Sequence, residues 1–197
     1  MKKLNIFLLL IWFGTTSIYA QAIIWKIAPD YSKLQFAIDH LGISTIIGQF
    51  NEFSGTLIYS REDFSDAKLT ITVEAESIST NNARWDEQLR TEELFHKGRY
   101  PIIYFMSSSF KKQENNIYEI SGYLSLRGIT RKVMFNGKYG GSVLDPSDNS
   151  SRSGWELSGA INRFDFGLGK NWKQTLDNGS LIFGEEIRLL ANLEFIE

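Results

Sequence analysis

Residues Ala67 to Ser77 read Ala-Lys-Leu-Thr-Ile-Thr-Val-Glu-Ala-Glu-Ser, and their alternation decides the fold. Leu69, Ile71, Val73 and Ala75 fall on one side while Lys68, Thr70, Thr72, Glu74 and Glu76 fall on the other. That is the period of two of a strand with one buried face and one wet face. The same alternation appears upstream in Leu34, Phe36 and Ile38. Downstream it returns in Ile120, Gly122, Leu124 and Leu126, then in Val133, Phe135 and Tyr139, and in Trp155, Leu157 and Ile161. It closes the chain in Ile187, Leu189, Ala191, Leu193 and Phe195, the longest regular run. With the less regular runs Ile46 to Ser60 and Ile102 to Phe110, these predict about eight strands.

Polar clusters punctuate the runs: Arg61 to Asp66, Lys111 to Asn116 and Gly140 to Gly154 are connections within one domain. The last is too long for a tight hairpin and reads as a lid or an insertion. With Trp172 and Gly167-Leu168-Gly169 it suggests a gated mouth. Only Asn81 to Lys97 breaks the alternation. Trp85, Leu89 and Leu94-Phe95 approximate helical spacing, Asn81 or Asn82 suits the N-cap and Gly98 a stop. The charges Arg84, Asp86, Glu87, Arg90, Glu92 and Glu93 then read as its solvated face. About eight antiparallel strands with a continuous apolar side can bury it as a sandwich or a closed barrel. Runs of about ten residues favour the barrel, because strongly twisted strands curl and remove their edges.

Composition narrows the chemistry. The 197 residues include no Cys and only 2 His, with 21 Lys+Arg against 23 Asp+Glu for a formal charge of −2. Disulfides, thiolate metal sites and cysteine nucleophiles are excluded, and no metal or cofactor is expected. The slight acidity argues against a nucleic-acid partner. What abounds is apolar surface, 43% hydrophobic and 14% aromatic. Part of it lies in residues 1–20, where Lys2 and Lys3 precede an apolar run from Ile6 to Phe13 and a small-residue end at Ala20. This reads as a secretory signal peptide. The run is short of the roughly 20 residues a membrane helix needs, so no transmembrane segment is expected and residues 21–197 form the exported domain.

Several motifs are family-like. Trp25-Lys26-Ile27-Ala28-Pro29-Asp30 leads to Ser32, Phe36, His40-Leu41, Gly48-Gln49-Phe50, Phe53 and Gly55. Ser77-Ile78-Ser79-Thr80 is followed by Arg84 and Leu89, then by Tyr100-Pro101-Ile102-Ile103-Tyr104-Phe105. Gly122 to Val133 and, most distinctively, Ile161-Asn162-Arg163-Phe164-Asp165-Phe166-Gly167 complete the set. The chain thereby resembles the YceI-like family, lipocalin-like barrels of the bacterial periplasm that bind polyisoprenoids and related amphiphiles. It departs from the family at Tyr31 and Gln88, where members often carry histidine, so a head-group role resting on either histidine is absent. The resemblance implies an all-β, eight-stranded antiparallel lipocalin-like barrel with one short helix. It also implies periplasmic location, an isoprenoid or isoprenoid quinone as partner and a homodimer.

Strand parity directs Phe36, Ile38, Leu69, Ile71, Val73, Phe105, Leu124, Leu126, Val133, Phe135, Leu157 and Ile161 into the barrel, as a packed core or as the lining of a ligand cavity. His40 shares the parity of Phe36 and Ile38 and reads either as a structural histidine or as a donor to a head group. His96, beside Lys97, reads as a surface residue. Arg163 and Asp165 read as turn residues that satisfy loop carbonyls. The expected function is a non-enzymatic lipid carrier. Its rivals are an enzyme acting on a lipid head group, with His40 or a carboxylate as base, and an interaction protein with a filled barrel.

Overall fold

The structure, a computed structural model, describes residues 21–197; the signal peptide expected at 1–20 lies outside the described residues. Among the described residues eleven strands occur in the order β1 (Ile23–Ile27), β2 (Lys33–His40), β3 (Ser44–Phe50), β4 (Phe53–Tyr59), β5 (Lys68–Glu74), β6 (Ile78–Ser79), β7 (Ile102–Lys112), β8 (Ile117–Leu126), β9 (Ile129–Leu144), β10 (Ser151–Asn162) and β11 (Phe183–Ile196). One helix, α1 (Ala83–Leu89), follows β6. All pairings are antiparallel, and β1 joins both β4 and β11, so the sheet closes on itself.

The eleven strands form eight staves because three staves are broken. β1 and β2 lie end to end along β11, with Lys26 and Ile27 opposite Ile196 and Phe195, and Lys33 to His40 opposite Asn192 to Phe183. The break is the 3₁₀ turn Pro29–Tyr31, where proline fixes φ and withholds a donor. Likewise β3 and β4 are one stave broken at Asn51-Glu52, and β5 and β6 one stave broken by the 3₁₀ turn Ala75–Ser77. The irregular alternation across Ile46 to Ser60 has its cause in that break, and β1 was not marked by the sequence pattern. β9, not the last strand, is the longest at 16 residues.

The interior has two levels. At one end Trp25, Leu57, Leu69, Phe110, Tyr118, Ile120, Trp155, Leu193 and Phe195 are packed solid, every one buried. Phe64 plugs that end, its ring 4.5 Å from Tyr59, 5.0 Å from Tyr139 and 5.1 Å from Trp155. Edge-to-face aromatic packing of this kind adds about 0.5–1.5 kcal/mol per pair beyond burial. At the other end the same inward parity lines a cavity.

Two expectations about connections are corrected. Gly140 to Gly154 is largely strand, with Leu144 paired to Ser151. The remaining turn is tied down: Asp145 accepts from the Ser147 amide at 2.9 Å, and Arg152 bridges Asp145, Asp148 and Glu194. It also lies at the start of β10, whereas Gly167, Gly169 and Trp172 follow its end, so it cannot gate a mouth they form. The helix is shorter than expected. Asn82 caps it, accepting from the amides of Arg84 and Trp85, but it ends at Leu89, and Thr91 to Tyr100 continue as turns.

Candidate functional site

The open end of the barrel is built around Arg163. Its side chain is buried, yet no carboxylate lies within ion-pairing distance of it among the described residues. Instead all five N–H groups donate to carbonyls: Nε to Gly184 at 2.8 Å, one terminal nitrogen to Leu168 and Gly169 at 3.0 and 3.1 Å, the other to Trp172 and Phe183 at 2.8 and 3.3 Å. Burial pushes the guanidinium below its ordinary pKa, with Glu185 opposing the shift. The ring of Phe164 covers it, 4.0 Å from centroid to guanidinium carbon. The turn role read from the sequence therefore holds for Arg163, while Asp165 is exposed and takes no part in the clamp, so one cation fixes the path of residues 163–184.

A second group of polar side chains fixes the segment that closes this end. Asp86, expected on a solvated helix face, is buried and accepts from the amide and hydroxyl of Thr80, both at 2.7 Å. Arg90 donates to the carbonyls of Glu76 and Ile78, and Glu93 accepts from Trp172 Nε1 at 2.8 Å. The mixed charges follow helical spacing, but α1 is too short to present them all to water, and three of them staple the cap to the barrel. Leu89, Leu94 and Phe95 point from this cap into the interior.

Beneath the cap lies a cavity of about 180 Å³. Of the residues expected inside, Phe36, Ile38, Ile71, Val73, Phe105, Leu124, Leu126, Phe135, Leu157 and Ile161 line it. Three do not. Leu69 belongs to the solid end, packed with Leu57, Phe110 and Trp155. Val133 is only partly buried and packs on the core outside the cavity. His40 lies outside the cavity in an aromatic cluster, its ring 5.0 Å from Phe183 and 6.2 Å from Trp85. Parity finds the inward face but not the depth along the barrel, which is why Leu69 was misplaced. His96 is half-buried against Tyr100 at 5.6 Å, not free on the surface.

Residues outside the candidate set also contribute: Leu94, Phe95, Leu168, Ile187, Leu189 and Ala191 line the cavity, and apart from Gln35 and Arg163 every lining side chain is apolar. Ile187, Leu189 and Ala191 carried a clear signal in their alternation. Leu94, Phe95 and Leu168 sit in turns, where no period reports on facing. A smaller chamber of about 70 Å³ adjoins the first, sharing Phe36, Ile38, Leu89, Leu94 and Arg163. It leads to Trp85, Trp172 and Phe183, which also line an outer cavity of about 340 Å³.

Comparison with known proteins agrees with this architecture. Residues 25–195 match the YceI-like domain. A UPF0312 protein of Staphylococcus aureus (strain MSSA476) is 30% identical over 165 residues, covering 84% of this chain and 92% of the relative. Among solved structures, Burkholderia cenocepacia BcnA superposes with a TM-score of 0.74 at 18% identity, covering 85% of this chain and 98% of its own. A polyisoprenoid binding domain from Saccharophagus degradans, implicated in plant cell wall breakdown, gives 0.64 at 14% identity, over 87% of this chain and 97% of its own. These distant structures share the fold. No helix among the described residues is long and apolar enough to cross a membrane.

Proposed function

The chain belongs to the YceI-like domain family, and from that premise we propose that it is an exported carrier that shelters the apolar tail of an isoprenoid lipid without altering it covalently. The observation that carries this reading is the apolar chamber of about 180 Å³ beyond the solid end of the barrel. A cavity of about 150 Å³ lined by aliphatic and aromatic side chains stays dry and binds benzene. On that scale the inner chambers, about 180 and 70 Å³, take roughly ten carbons, or two isoprene units. Burial contributes about 0.8 kcal/mol per carbon, so two units supply up to ~8 kcal/mol before association costs of at least ~4 kcal/mol. Contacts at the mouth must therefore supplement the tail.

A solved relative in fold that is itself a polyisoprenoid binding domain supports the same ligand class. Export to the periplasm rests on the signal peptide read at residues 1–20. The rival reading, an enzyme acting on the head group, would use a base at the mouth, where His40 lies against Phe183 and Trp85 and Glu93 lines the outer cavity, whereas the chamber that takes the tail is lined by no titratable group but Arg163. The test is native mass spectrometry of the mature protein purified from its own compartment, followed by titration with geraniol. An isoprenoid adduct and saturable binding are expected. A bare protein that also ignores geraniol would sink the proposal.

A further inference from the structure

The outer cavity of about 340 Å³ has walls unlike those of the aliphatic chamber below it. Trp85 and Trp172 flank Phe183, whose ring centroid lies 5.3 Å from the first and 5.8 Å from the second, so three aromatic rings bound one space. His40 packs against Phe183 at 5.0 Å without lining the cavity. The polar lining is Gln88, Gln174 and Glu93, and Glu93 is the only charged residue there among the described residues. Trp172 Nε1 donates to one oxygen of the Glu93 carboxylate at 2.8 Å, which ties the negative charge to the edge of an indole ring.

Aromatic faces carry the negative part of the ring quadrupole and attract cations, tryptophan most strongly. Elsewhere the chain meets such faces with its own cations: Arg152 stands 4.9 Å from the Tyr31 centroid, Arg99 5.4 Å from Tyr100, and Arg163 and Lys173 stand 4.0 and 5.0 Å from Phe164. Among the described residues no guanidinium or ammonium stands over Trp85, Trp172 or Phe183. Arg163 donates all five N–H groups to carbonyls and borders the two inner chambers, not this cavity. Three unclaimed rings around a carboxylate favour a cation from outside. A primary ammonium has three N–H donors to satisfy, and one Glu93 oxygen already accepts from Trp172. A quaternary ammonium has none, so its methyl groups can pack on the rings while its charge faces the carboxylate.

We propose that the outer cavity is an aromatic cage that binds a quaternary ammonium group, carried by a free solute such as choline or by a choline-type lipid head group. The cage is a cavity distinct from the tail chamber, so it does not depend on the carrier reading. The test is an NMR titration of the mature protein that follows the indole N–H signals of Trp85 and Trp172. The probes are choline, the uncharged alcohol that has carbon in place of the choline nitrogen, and soluble dihexanoyl phosphatidylcholine. Choline is expected to shift both signals saturably and to bind at least about tenfold more tightly than the alcohol. Glu93→Gln, which keeps an acceptor for the Trp172 indole, is expected to weaken choline binding by about tenfold and leave the alcohol unchanged. Phosphatidylcholine binding at least as tight as that of choline assigns the cage to a lipid head group, and weaker binding assigns it to a free solute. The cage is overturned by the absence of a saturable shift with either quaternary probe, by alcohol binding equal to that of choline, or by quaternary-probe binding that Glu93→Gln leaves unchanged.

Discussion

Replacing Arg163 by Met keeps an unbranched apolar stem of similar length beneath Phe164 while removing all five donors. The two carbonyls at Leu168 and Gly169 lie in a fully buried setting, and each loses its hydrogen bond from the guanidinium, but Gly169 keeps one from the Trp172 amide at 2.8 Å. The Leu168 carbonyl is left unpaired, and a buried acceptor in that state costs about 1–3 kcal/mol. The carbonyls of Gly184, Trp172 and Phe183 are only partly buried, and water replaces their lost partners at small net cost. A loss of about 2 kcal/mol is still a large fraction of the roughly 5–15 kcal/mol that holds a domain together. With a urea m-value of about 2 kcal/mol/M, the midpoint falls by about 1 M. Equilibrium unfolding followed by tryptophan fluorescence measures this. Hydrogen exchange should show the loss of protection centred on residues 168–184. Arg163→Lys, with three donors, should recover part of the loss. If the Met variant stays within about 1 kcal/mol of the parent, the carbonyl-clamp account is wrong.

Three other perturbations probe separate parts of the structure. Ala191→Leu adds three carbons to the main cavity and should weaken geraniol binding by about tenfold or more without lowering the melting temperature; a destabilised variant would mean that the space is already filled. Gly159→Ala places a Cβ 2.7 Å from the Phe135 ring and 2.9 Å from the Met134 carbonyl. Because the second contact is backbone, the cost should be about 1–3 kcal/mol in urea unfolding. The carboxylates of Asp66, Asp145 and Asp148 are held below the usual range, chiefly by hydrogen bonds from Ser60, Ser147 and Ser150 respectively. Groups depressed in the folded state stabilise it fully above the unfolded value of about 3.9, and that stability is lost as pH falls through the lower folded values. The urea midpoint should therefore be insensitive to these groups from pH 7 to about pH 5 and fall steeply below about pH 4. Asp66→Asn should flatten that fall.

Much of this architecture is legible in the alternation that starts at Leu69, because a strand with one wet face must repeat every two residues. The ten lining residues found by parity follow from that rule alone. Depth does not: Leu69 and Ile71 share a strand and a face, yet one is packed into the solid end and the other borders the cavity. The difference is made by partners distant in sequence, Phe110 and Trp155 against Phe105 and Leu124. Turn residues such as Leu94 and Leu168 carry no period, so their inward direction depends on tertiary hydrogen bonds from Arg163, Arg127 and Trp172. His40 shows the converse: correct parity at a strand end, but a place among Trp85 and Phe183 that no local rule specifies.

The ring is joined where Lys26 and Ile27 meet Ile196 and Phe195. One of the first strands made must therefore wait for the last residues of the chain before its second edge is covered. During that interval β1 offers unpaired backbone groups to any extended segment, the condition under which strands add between molecules. Deleting the final four residues would leave that edge open permanently. Such a truncated chain should aggregate in preference to populating a stable monomer, which places the last residues of the chain among the determinants of its solubility.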